Sequence, residues 1–596
     1  LAACMLDFDD LEEAEETQHA EDAQQATEGR QGDAGAPQEP ALGSRWRPRC
    51  GPPPSPEAPY APSLLDLSGE ELARVPRCIY SLKPLMNAKR FKEVVDTQAP
   101  GAHYGMLFPH SFELLRQAGP AWLTQAFHAA GTLPVDNRVV SMTVHELSTE
   151  DRASESTGAT GLKGWLEVAY DRPHEGLHTE LFVKLPFPYS PSNDRQKNSL
   201  TFTPDESEIL FNRLFGPMLP FRIPKYYFGD FSYESTNFIL ISERVPYKAT
   251  SWRDGGRELP LAPLEVEPPI LKFRDYEVPE DGFQQYRATM RALGRMVAEY
   301  HNGGLGNLDH LRYLFPREPP TPFEGIGWEA AQAVFAQNGG KLTQDPGFEA
   351  ALEQQNAQAL SVQSAFAFVE VAFVRNAPQL FPKELGEARF LKQWYRELME
   401  VVFYTAEITF YLHVDPAFIS LVHTNLTPDN AWYWRSEEGE LQCGLLDFGA
   451  TALQNVALNM LASWTAAEPP MLKRHAPELL QAFADGCRES GGPASASFEE
   501  LQTCVLLAMA VNNAGVGSNA MQLLRMKPKE EWAQMESRWD PRVNDDMVFR
   551  NYVCAIATML SLWRDQRLYA AFKAWRRKNE HWMPKKKRFV CPPMPS

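Results

Sequence analysis

The 596-residue chain lacks several features that would identify its class at once. Its eight cysteines form no CxxC pair, have no histidine at ligand spacing and follow no regular framework, which excludes a disulfide miniprotein. We expect free thiols in a reducing compartment. No stretch approaches the ~20 uncharged apolar residues that cross a bilayer, so the sequence predicts no membrane span. The first residues show no basic segment followed by a long apolar run, and we expect no signal peptide.

Positive charge is also scarce. The chain has 58 Lys and Arg against 77 Asp and Glu, a formal net charge of −19, so no global positive field would attract a nucleic-acid backbone. We therefore exclude nucleic acid as the main partner. The acidic excess is uneven, because residues 1–40 hold twelve acidic residues against the single Arg30. Residues 1–62 are acidic and then rich in proline, without any apolar period, and we predict a disordered arm there.

The rest of the composition is that of a globular protein with two lobes. Apolar residues make up 44% of the chain, enough to bury sizeable cores. Apolar spacing in residues 111–117 and 121–130 predicts short helices closed by Gly131, within a helical lead-in over residues 63–135. Five stretches rich in β-branched and aromatic residues then predict an antiparallel sheet within residues 136–246. These stretches are residues 139–147, 162–171, 180–186, 226–231 and 238–242.

One helix interrupts this sheet, and helices dominate the chain after it. Between the third and fourth strands, Pro204 and an acidic first turn begin an apolar helix. Residues 247–596 show helical spacing almost throughout, which predicts a large helical lobe. The predicted helices of this lobe are residues 283–302, 328–337, 348–374, 387–413, 479–488, 498–513 and 545–577. The predicted fold class is therefore α+β, a five-stranded antiparallel lobe beside a larger helical lobe.

A short β segment, residues 418–448, interrupts the helical lobe and carries the chemistry. It contains His423, then Asn430, and after a glycine-containing turn Asp447 followed by Phe-Gly. Two short strands joined by that turn would bring Asn430 near Asp447. A carboxylate and an amide oxygen suit Mg²⁺, whose octahedron phosphate groups would complete. The segment therefore predicts a magnesium site that serves a phosphate-bearing ligand.

These motifs resemble the aminoglycoside/choline phosphotransferase family, the small-molecule branch of the protein-kinase-like fold. In that family an H-x-D-x-x-x-x-N motif is followed within ~20 residues by D-x-G, and the run from His423 to Asn430 followed by Asp447-Phe-Gly has this spacing. Lys184 stands where the family has the strand lysine that contacts the α- and β-phosphates. Glu208 matches the helix acid that pairs with this lysine, with Glu206 as the alternative. The resemblance covers about residues 139–457.

Two further segments match the family in position. The glycine-containing stretch that includes Gly158 and Gly161 lies where a nucleotide-covering loop belongs, and its backbone N–H groups would approach phosphate oxygens. The strand that ends near Glu243 and Val245 resembles the run into the interlobe hinge, whose backbone would hydrogen-bond the adenine. The resemblance thus implies a bilobal protein-kinase-like fold that binds ATP and Mg²⁺ and transfers a phosphoryl group to a small-molecule hydroxyl. The helical insertion at residues 309–387 lies where the family builds its acceptor pocket.

One departure from the family concerns catalysis. The catalytic aspartate is replaced by Asn425, whose amide can orient a hydroxyl but cannot accept its proton. General-base assistance is worth ~10²–10⁴ in rate, while positioning and charge stabilisation dominate phosphoryl transfer. We therefore predict a slow phosphotransferase in which His423 and Asn425 are the catalytic-loop residues. The alternative is a catalytically impaired pseudokinase that serves as a nucleotide-binding or interaction scaffold.

Three residues near these motifs need an interpretation of their own. Asp429 would supply a substitute carboxylate or cap the turn before Asn430. His423 is interpreted as an architectural residue that hydrogen-bonds backbone, and Trp165 as a packing residue.

A protein-substrate kinase is disfavoured, because the spacing of residues 453–464 predicts a helix directly after Asp447 and leaves no long activation segment.

The C-terminal part of the sequence bears on location. Basic residues at 573–578 and 584–588 have the composition of a nuclear-import signal or of a solvated chain end. We expect a cytoplasmic protein, with nuclear import as the alternative. The expected partners are a nucleotide and a small-molecule acceptor, and the sequence predicts neither the acceptor's identity nor the oligomeric state.

Overall fold

The computed structural model describes most of the chain beyond residue 60. The described residues are 61–78, 86–147, 161–174, 176–190, 195–201, 204–247, 265–316, 328–337, 346–449, 451–465, 467–493, 497–513, 520, 523–524, 526–583 and 589–594. They all belong to one compact unit, Arg49–Ser596. The predicted acidic arm lies outside the described residues except for its last two positions, and so do residues 584–588 of the basic tail.

A five-stranded antiparallel sheet forms the first lobe, in the spatial order β1-β2-β3-β5-β4. Its strands are β1 (Val139–Glu146), β2 (Gly161–Tyr170), β3 (Glu180–Pro186), β4 (Tyr226–Phe231) and β5 (Phe238–Glu243). β-Branched and aromatic side chains suit such a half-buried pleated surface, which is why the sequence pattern located these strands to within one residue at most ends. The predicted sheet is confirmed.

Helices precede and interrupt the sheet. They are α1 (Gly69–Ala73), α2 (Ala88–Val94), α3 (Phe112–Ala130), α4 (Arg195–Thr201) and α5 (Pro204–Phe215). Helix α3 begins where the Ser111 side chain accepts from the Leu114 N–H and ends at Gly131, whose φ of 72° lies in the left-handed region that glycine tolerates. Phe112, Leu115 and Phe127 of α3 are buried in the same core as the back face of the sheet.

Helix α5 connects the two lobes through its apolar face. Ile209 belongs to the core beneath the sheet, whereas Leu210, Phe211 and Leu214 belong to the core of the helical lobe. This one helix is therefore packed into both cores. This is why the helix that interrupts the predicted sheet matters for the site.

The second lobe is helical. Its helices are α6 (Phe283–His301), α7 (Leu308–Leu314), α8 (Trp328–Gln337), α9 (Pro346–Asn376), α10 (Ala388–Val402), α11 (Thr405–Val414), α12 (Ala457–Trp464), α13 (Pro469–Glu489), α14 (Phe498–Asn512), α15 (Lys529–Trp532), α16 (Pro541–Asn544), α17 (Met547–Asp565) and α18 (Leu568–Asn579). Helices α6 and α13 cross at glycine: a Cβ at Gly486 would lie 2.2 Å from the Arg291 carbonyl oxygen, and one at Gly294 would lie 2.0 Å from the Phe483 carbonyl oxygen. The close approach of the two backbones requires both glycines.

Two small β-pairs sit in the helical lobe, where the sequence predicted two strands. They consist of β6 (Ile419–Val422) with β9 (Ala452–Asn455), and β7 (Ala431–Arg435) with β8 (Leu441–Leu445). The prediction of a helix from residue 453 was therefore wrong at its start, because residues 452–455 pair with β6 and the helix begins at Ala457. The predicted helices 387–413 and 545–577 are each divided in two. The whole has the predicted α+β architecture, a five-stranded antiparallel lobe beside a larger helical lobe.

Two predictions about composition concern the described residues. The six described cysteines are all free thiols. One helical segment, Glu349–Asn376, has the length and apolar composition of a membrane span, with a mean hydropathy of 1.4. A single segment of this kind is weak evidence for a membrane span, since long helices of protein cores pass the same criterion, and Glu370 within it is fully buried in the protein.

Candidate active site

A buried lysine lies at the centre of the site, between the two lobes. Lys184 of β3 is 3% exposed, and its Nζ lies 2.6 Å from Glu208 Oε2 of α5 and 2.9 Å from Asp205 Oδ1. The same Nζ lies 3.6 Å from Asp447 Oδ1 in the helical lobe. Burial alone would lower the pKa of Lys184, but these carboxylates raise it well above its ordinary value. The amine therefore stays charged and joins the two lobes electrostatically.

The structure distinguishes between the two acids that the sequence offered as the partner of Lys184. Glu208 contacts the lysine, whereas Glu206 accepts a hydrogen bond from the Tyr233 hydroxyl. Asp205, which sequence reasoning did not select, is a second partner of Lys184. An acidic residue in the first turn of a helix commonly complements the helix dipole. The sequence therefore gave no reason to assign Asp205 to the site.

Asp447 has an unusual backbone and an unusual acidity. Its φ of 57° lies in the left-handed region, which a non-glycine residue occupies at a cost of order 1–3 kcal/mol and which is often found at functional sites. Burial opposes ionisation of its carboxyl, but Lys184, Lys163 and Lys272 lower its pKa to about 2. Asp447 is thus ionised at neutral pH; its side chain is 22% exposed and follows the end of β8 by two residues.

His423 holds the loop that follows β6. Its Nε2 donates to the Leu446 carbonyl oxygen at 2.8 Å, and its Nδ1 accepts from the Asn425 N–H at 3.3 Å. Burial lowers the pKa of this fully buried imidazole. Both ring nitrogens are therefore engaged by backbone groups, as the architectural interpretation predicted.

Asn430 and Asn425 lie together on this loop. Asn430 Nδ2 donates to the Asn425 carbonyl oxygen at 2.7 Å, which leaves Asn430 Oδ1 for another donor or a metal. The Asn430 carbonyl oxygen accepts from the Leu446 N–H at 2.8 Å, directly before Asp447. The side chain of Asn425 is exposed.

The two predicted magnesium ligands, Asn430 and Asp447, lie close together, but no third protein ligand accompanies them among the described residues. Among the described residues, no group of three or more His, Cys, Asp or Glu side chains is arranged to hold a metal ion. Asn430 and Asp447 offer one amide oxygen and one ionised carboxylate, the donor set with which Mg²⁺ retains positions for phosphate oxygens and water. Their role as metal ligands stays a prediction.

Asp429, the possible substitute base, is engaged elsewhere. Its carboxylate is 1% exposed, lies 3.4 Å from Lys272 Nζ and accepts a 2.5 Å hydrogen bond from the Thr427 hydroxyl. A carboxylate with these partners is held away from a hydroxyl that reaches the exposed side of the loop. The geometry favours a structural role for Asp429.

A second lysine, which sequence reasoning missed, lies beside Lys184. Lys163 of β2 is paired in register with Lys184 of β3. Burial lowers the pKa of Lys163 to about 8, while Asp447 acts in the opposite direction. No local signal in the sequence could reveal this residue, because its position depends on the register between two strands.

The predicted glycine loop and hinge are only partly described. Gly158 lies outside the described residues, and Gly161 is the first residue of β2 rather than a loop residue. A Cβ at Gly161 would lie 2.4 Å from the Leu185 carbonyl oxygen, so the sheet itself requires this glycine. Glu243 ends β5, and its Oε2 accepts from the Lys225 N–H at 3.0 Å. Val245 is half-buried and follows two residues later.

Aromatic packing connects α5 with the segment that carries Asp447. The ring of Phe448 stacks on that of Phe211, with centroids 3.8 Å apart and planes 7° from parallel. His423 also packs against Phe448, at 4.6 Å between centroids. The residue beside Asp447 is thereby fixed to the helix that carries Glu208. Trp165 packs against His145 and Arg244, as its predicted packing role requires.

Comparisons with known proteins give structural similarities only. No family model matches the sequence, and no curated protein matches it. The chain is similar to a spectinomycin phosphotransferase in complex with ADP and spectinomycin, at 11% identity and a TM-score of 0.30, over 70% of this chain and 93% of that chain. It is similar to a GDP complex of an aminoglycoside 2'-phosphotransferase mutant, at 13% identity and a TM-score of 0.29. This similarity covers 74% of this chain and 95% of that chain. A choline/ethanolamine kinase family protein from Mesorhizobium loti shows 9% identity and a TM-score of 0.28, over 68% and 91%.

Proposed function

We propose that the protein is an ATP- and Mg²⁺-dependent phosphotransferase that acts slowly on the hydroxyl of a small molecule. The observation that carries this proposal is that the carboxylates of Glu208 and Asp447, which come from different lobes, both lie within 3.6 Å of the Lys184 amine. A structural ion pair needs one carboxylate, whereas a nucleotide site of this fold needs a lysine, its orienting acid and a metal-binding acid.

Each of the described groups has a task in this function. Lys184 binds the α- and β-phosphates, and Glu208 keeps its amine on the cleft side of β3. Asn430 Oδ1 and the Asp447 carboxylate would hold the magnesium ion, which neutralises charge on the phosphates when it is bound. Glu243 and Val245 would present their backbone to the adenine. The helical insertion at residues 309–387 would contribute to the acceptor pocket.

The transfer step needs no covalent help from the protein. The acceptor oxygen forms a bond to the γ-phosphorus while the bond from that phosphorus to the ADP oxygen breaks, and the acceptor's proton leaves to water or to the transferred phosphoryl group. Asn425 orients the hydroxyl but takes up no proton. Because Asp429 is held by Lys272 and Thr427, we expect no substitute base and hence a low rate.

A nucleotide-binding scaffold is the second candidate, and Asn425 favours it. A pocket that has lost its general base can keep its affinity for the nucleotide, because the lysine and the metal ligands are separate from that base. The two candidates share the nucleotide site and differ only in turnover.

Restoring the carboxylate distinguishes the candidates. Transfer from γ-labelled ATP would be measured with a panel of amino alcohols and aminoglycosides for the wild type, Asn425→Asp and the control Asn307→Asp, an exposed helix cap where either residue serves. We expect slow transfer by the wild type, an increase of ~10²–10⁴-fold in Asn425→Asp, and no change in the control. If neither the wild type nor Asn425→Asp transfers phosphate, while both still bind the nucleotide, the protein is a scaffold.

A further inference from the structure

We propose that Lys163 of β2 is a second phosphate-binding lysine, which contacts the β- and γ-phosphoryl oxygens beside Lys184. This inference rests on the proposed function and extends it, since neither the motifs nor the resemblance includes a lysine on this strand.

The strand register puts both lysines on one face of the sheet. Lys163 and Lys184 are directly paired across the antiparallel strands β2 and β3, and side chains paired in this way project from the same face. Lys184 points from that face toward α5 and Asp447. The next residue, Gly164, belongs to the opposite face, where a Cβ would lie 2.8 Å from the Phe112 ring of α3. Lys163 therefore projects into the cleft.

Lys163 has charged neighbours but, within the described part of the chain, no ion-pair partner. Two like charges directly opposite each other on a sheet destabilise it unless other groups compensate. Lys184 is compensated by Asp205, Glu208 and Asp447, whereas no carboxylate of the described residues forms an ion pair with Lys163. A half-buried lysine at the mouth of this cleft thus has its charge free for an anionic ligand.

The electrostatic neighbours indicate which end of the nucleotide Lys163 meets. Among the charged groups, Asp447 acts on Lys163 most strongly, ahead of Lys184, Lys272 and Glu208. Together with Asn430, Asp447 would hold the proposed magnesium ion, which would neutralise charge on the phosphates. Lys163 therefore lies beside Lys184 and near the same carboxylate, where the distal phosphates of a bound nucleotide would be placed.

The charge balance of the site favours a further cation. Three carboxylates, those of Asp205, Glu208 and Asp447, lie within 3.6 Å of the Lys184 amine, while Lys272, the other cation near Asp447, is paired with Asp429. Asp205 is a carboxylate in addition to the two that the motif supplies. Lys163 offsets this extra charge, which explains why two lysines are paired at this point of the sheet.

Calorimetric titration with MgATP and with AMP tests the proposal. We expect Lys163→Gln to weaken MgATP binding by roughly 10- to 100-fold and to leave AMP binding within about twofold, because a charge-assisted hydrogen bond to the distal phosphates is lost. Lys163→Arg should stay within a few-fold of the wild type. Lys392→Gln, on the exposed side of α10, is the matched control.

Three results would overturn the proposal. Equal losses of MgATP and AMP affinity, or no loss of either, would exclude the proposed contact with the β- and γ-phosphates. A wild type that binds no nucleotide would refute the proposed function together with this inference. Thermal unfolding shows that the variants are folded; if Lys163→Gln is not, Lys163→Met removes the charge and keeps the apolar stem, and the same comparison decides.

Discussion

At the scale of single residues, the site holds three carboxylates around the single buried amine of Lys184. Lys184 neutralises part of the charge of three carboxylates, two of which are buried beside it. Removing one partner of a buried ion pair costs more than replacing the whole pair, because the remaining charges stay desolvated. The stability of the site therefore depends on this one side chain.

The Lys184→Met variant should lose about 3–5 kcal/mol of unfolding free energy, because it leaves the Glu208 and Asp205 carboxylates buried and unpaired. Chemical denaturation measures the loss. The double variant Lys184→Met/Glu208→Gln should recover part of it by neutralising one carboxylate. If the double variant is less stable than Lys184→Met, the ion pair does not carry the stability that we ascribe to it.

Nucleotide affinity should depend on pH through Lys163. Because burial lowers the pKa of Lys163 to about 8, the affinity for MgATP should fall as the pH rises from 7.5 to 9 and the amine loses its proton. Lys184, whose pKa is raised, stays charged over this window. The other charged groups that face Lys163 are Asp447, Lys272 and Glu208. Calorimetry on the wild type and Lys163→Arg measures the slope, and equal slopes in the two proteins would contradict the assignment.

Sequence reasoning found the residues that a motif specifies and missed those that strand register specifies. Lys184, Glu208 and Asp447 stand at recognisable positions along the chain, and they meet in space. Asp205 looks like a helix-dipole residue, and Lys163 looks like any strand lysine. Their significance appears only when β2 and β3 are aligned and α5 is packed against β3.

At the scale of elements, α5 and the segment that contains Phe448 are packed against each other. The Phe211–Phe448 stack joins the helix that carries Glu208 to the residue beside Asp447. The positions of Glu208 and Asp447 are therefore linked through apolar packing as well as through their ion pairs with Lys184.

Phe448→Ala should destabilise the protein by about 3–5 kcal/mol, because it removes a fully buried ring from the core between the lobes. Urea unfolding measures the effect. Phe498→Ala, at a ring that is 37% exposed, is the control and should cost much less. Similar losses for the two variants would show that Phe448 packs less tightly than the geometry indicates.

The crossing of α6 and α13 provides a second test of packing. Gly486→Ala should cost about 1–3 kcal/mol, because the added Cβ would meet the Arg291 carbonyl oxygen at 2.2 Å. Gly69→Ala is the control, since a Cβ there meets nothing within 4 Å. Thermal unfolding of both variants checks the prediction, which fails if Gly486→Ala is as stable as the control.

Element boundaries were predictable where the signal is local. Strands β1 to β5 follow from β-branched and aromatic runs bounded by turn residues. The strand β9 was missed because its apolar spacing continues into α12 and only pairing with β6 makes it extended. The break between α10 and α11 has neither glycine nor proline, so residues 387–413 gave no local signal for it.

At the scale of the whole molecule, two hydrophobic cores are joined by α5, which contributes residues to both. The sheet core includes α3, whereas the helical core extends from α6 to α18. Composition alone predicts two lobes of this kind, but it does not predict that charged residues from both meet within ion-pair distance. That meeting is the central claim on which the proposed function and the inference about Lys163 depend.

The most direct test of this claim is a titration with N-methylanthraniloyl-ATP, with and without Mg²⁺, on the wild type and on Asp447→Asn. Asparagine tolerates the left-handed backbone of this position, so the variant removes the charge and keeps the fold. We predict that the wild type binds the nucleotide more tightly with Mg²⁺ and that the variant loses this difference. The account is contradicted if neither protein binds the nucleotide, or if Mg²⁺ strengthens binding equally in both.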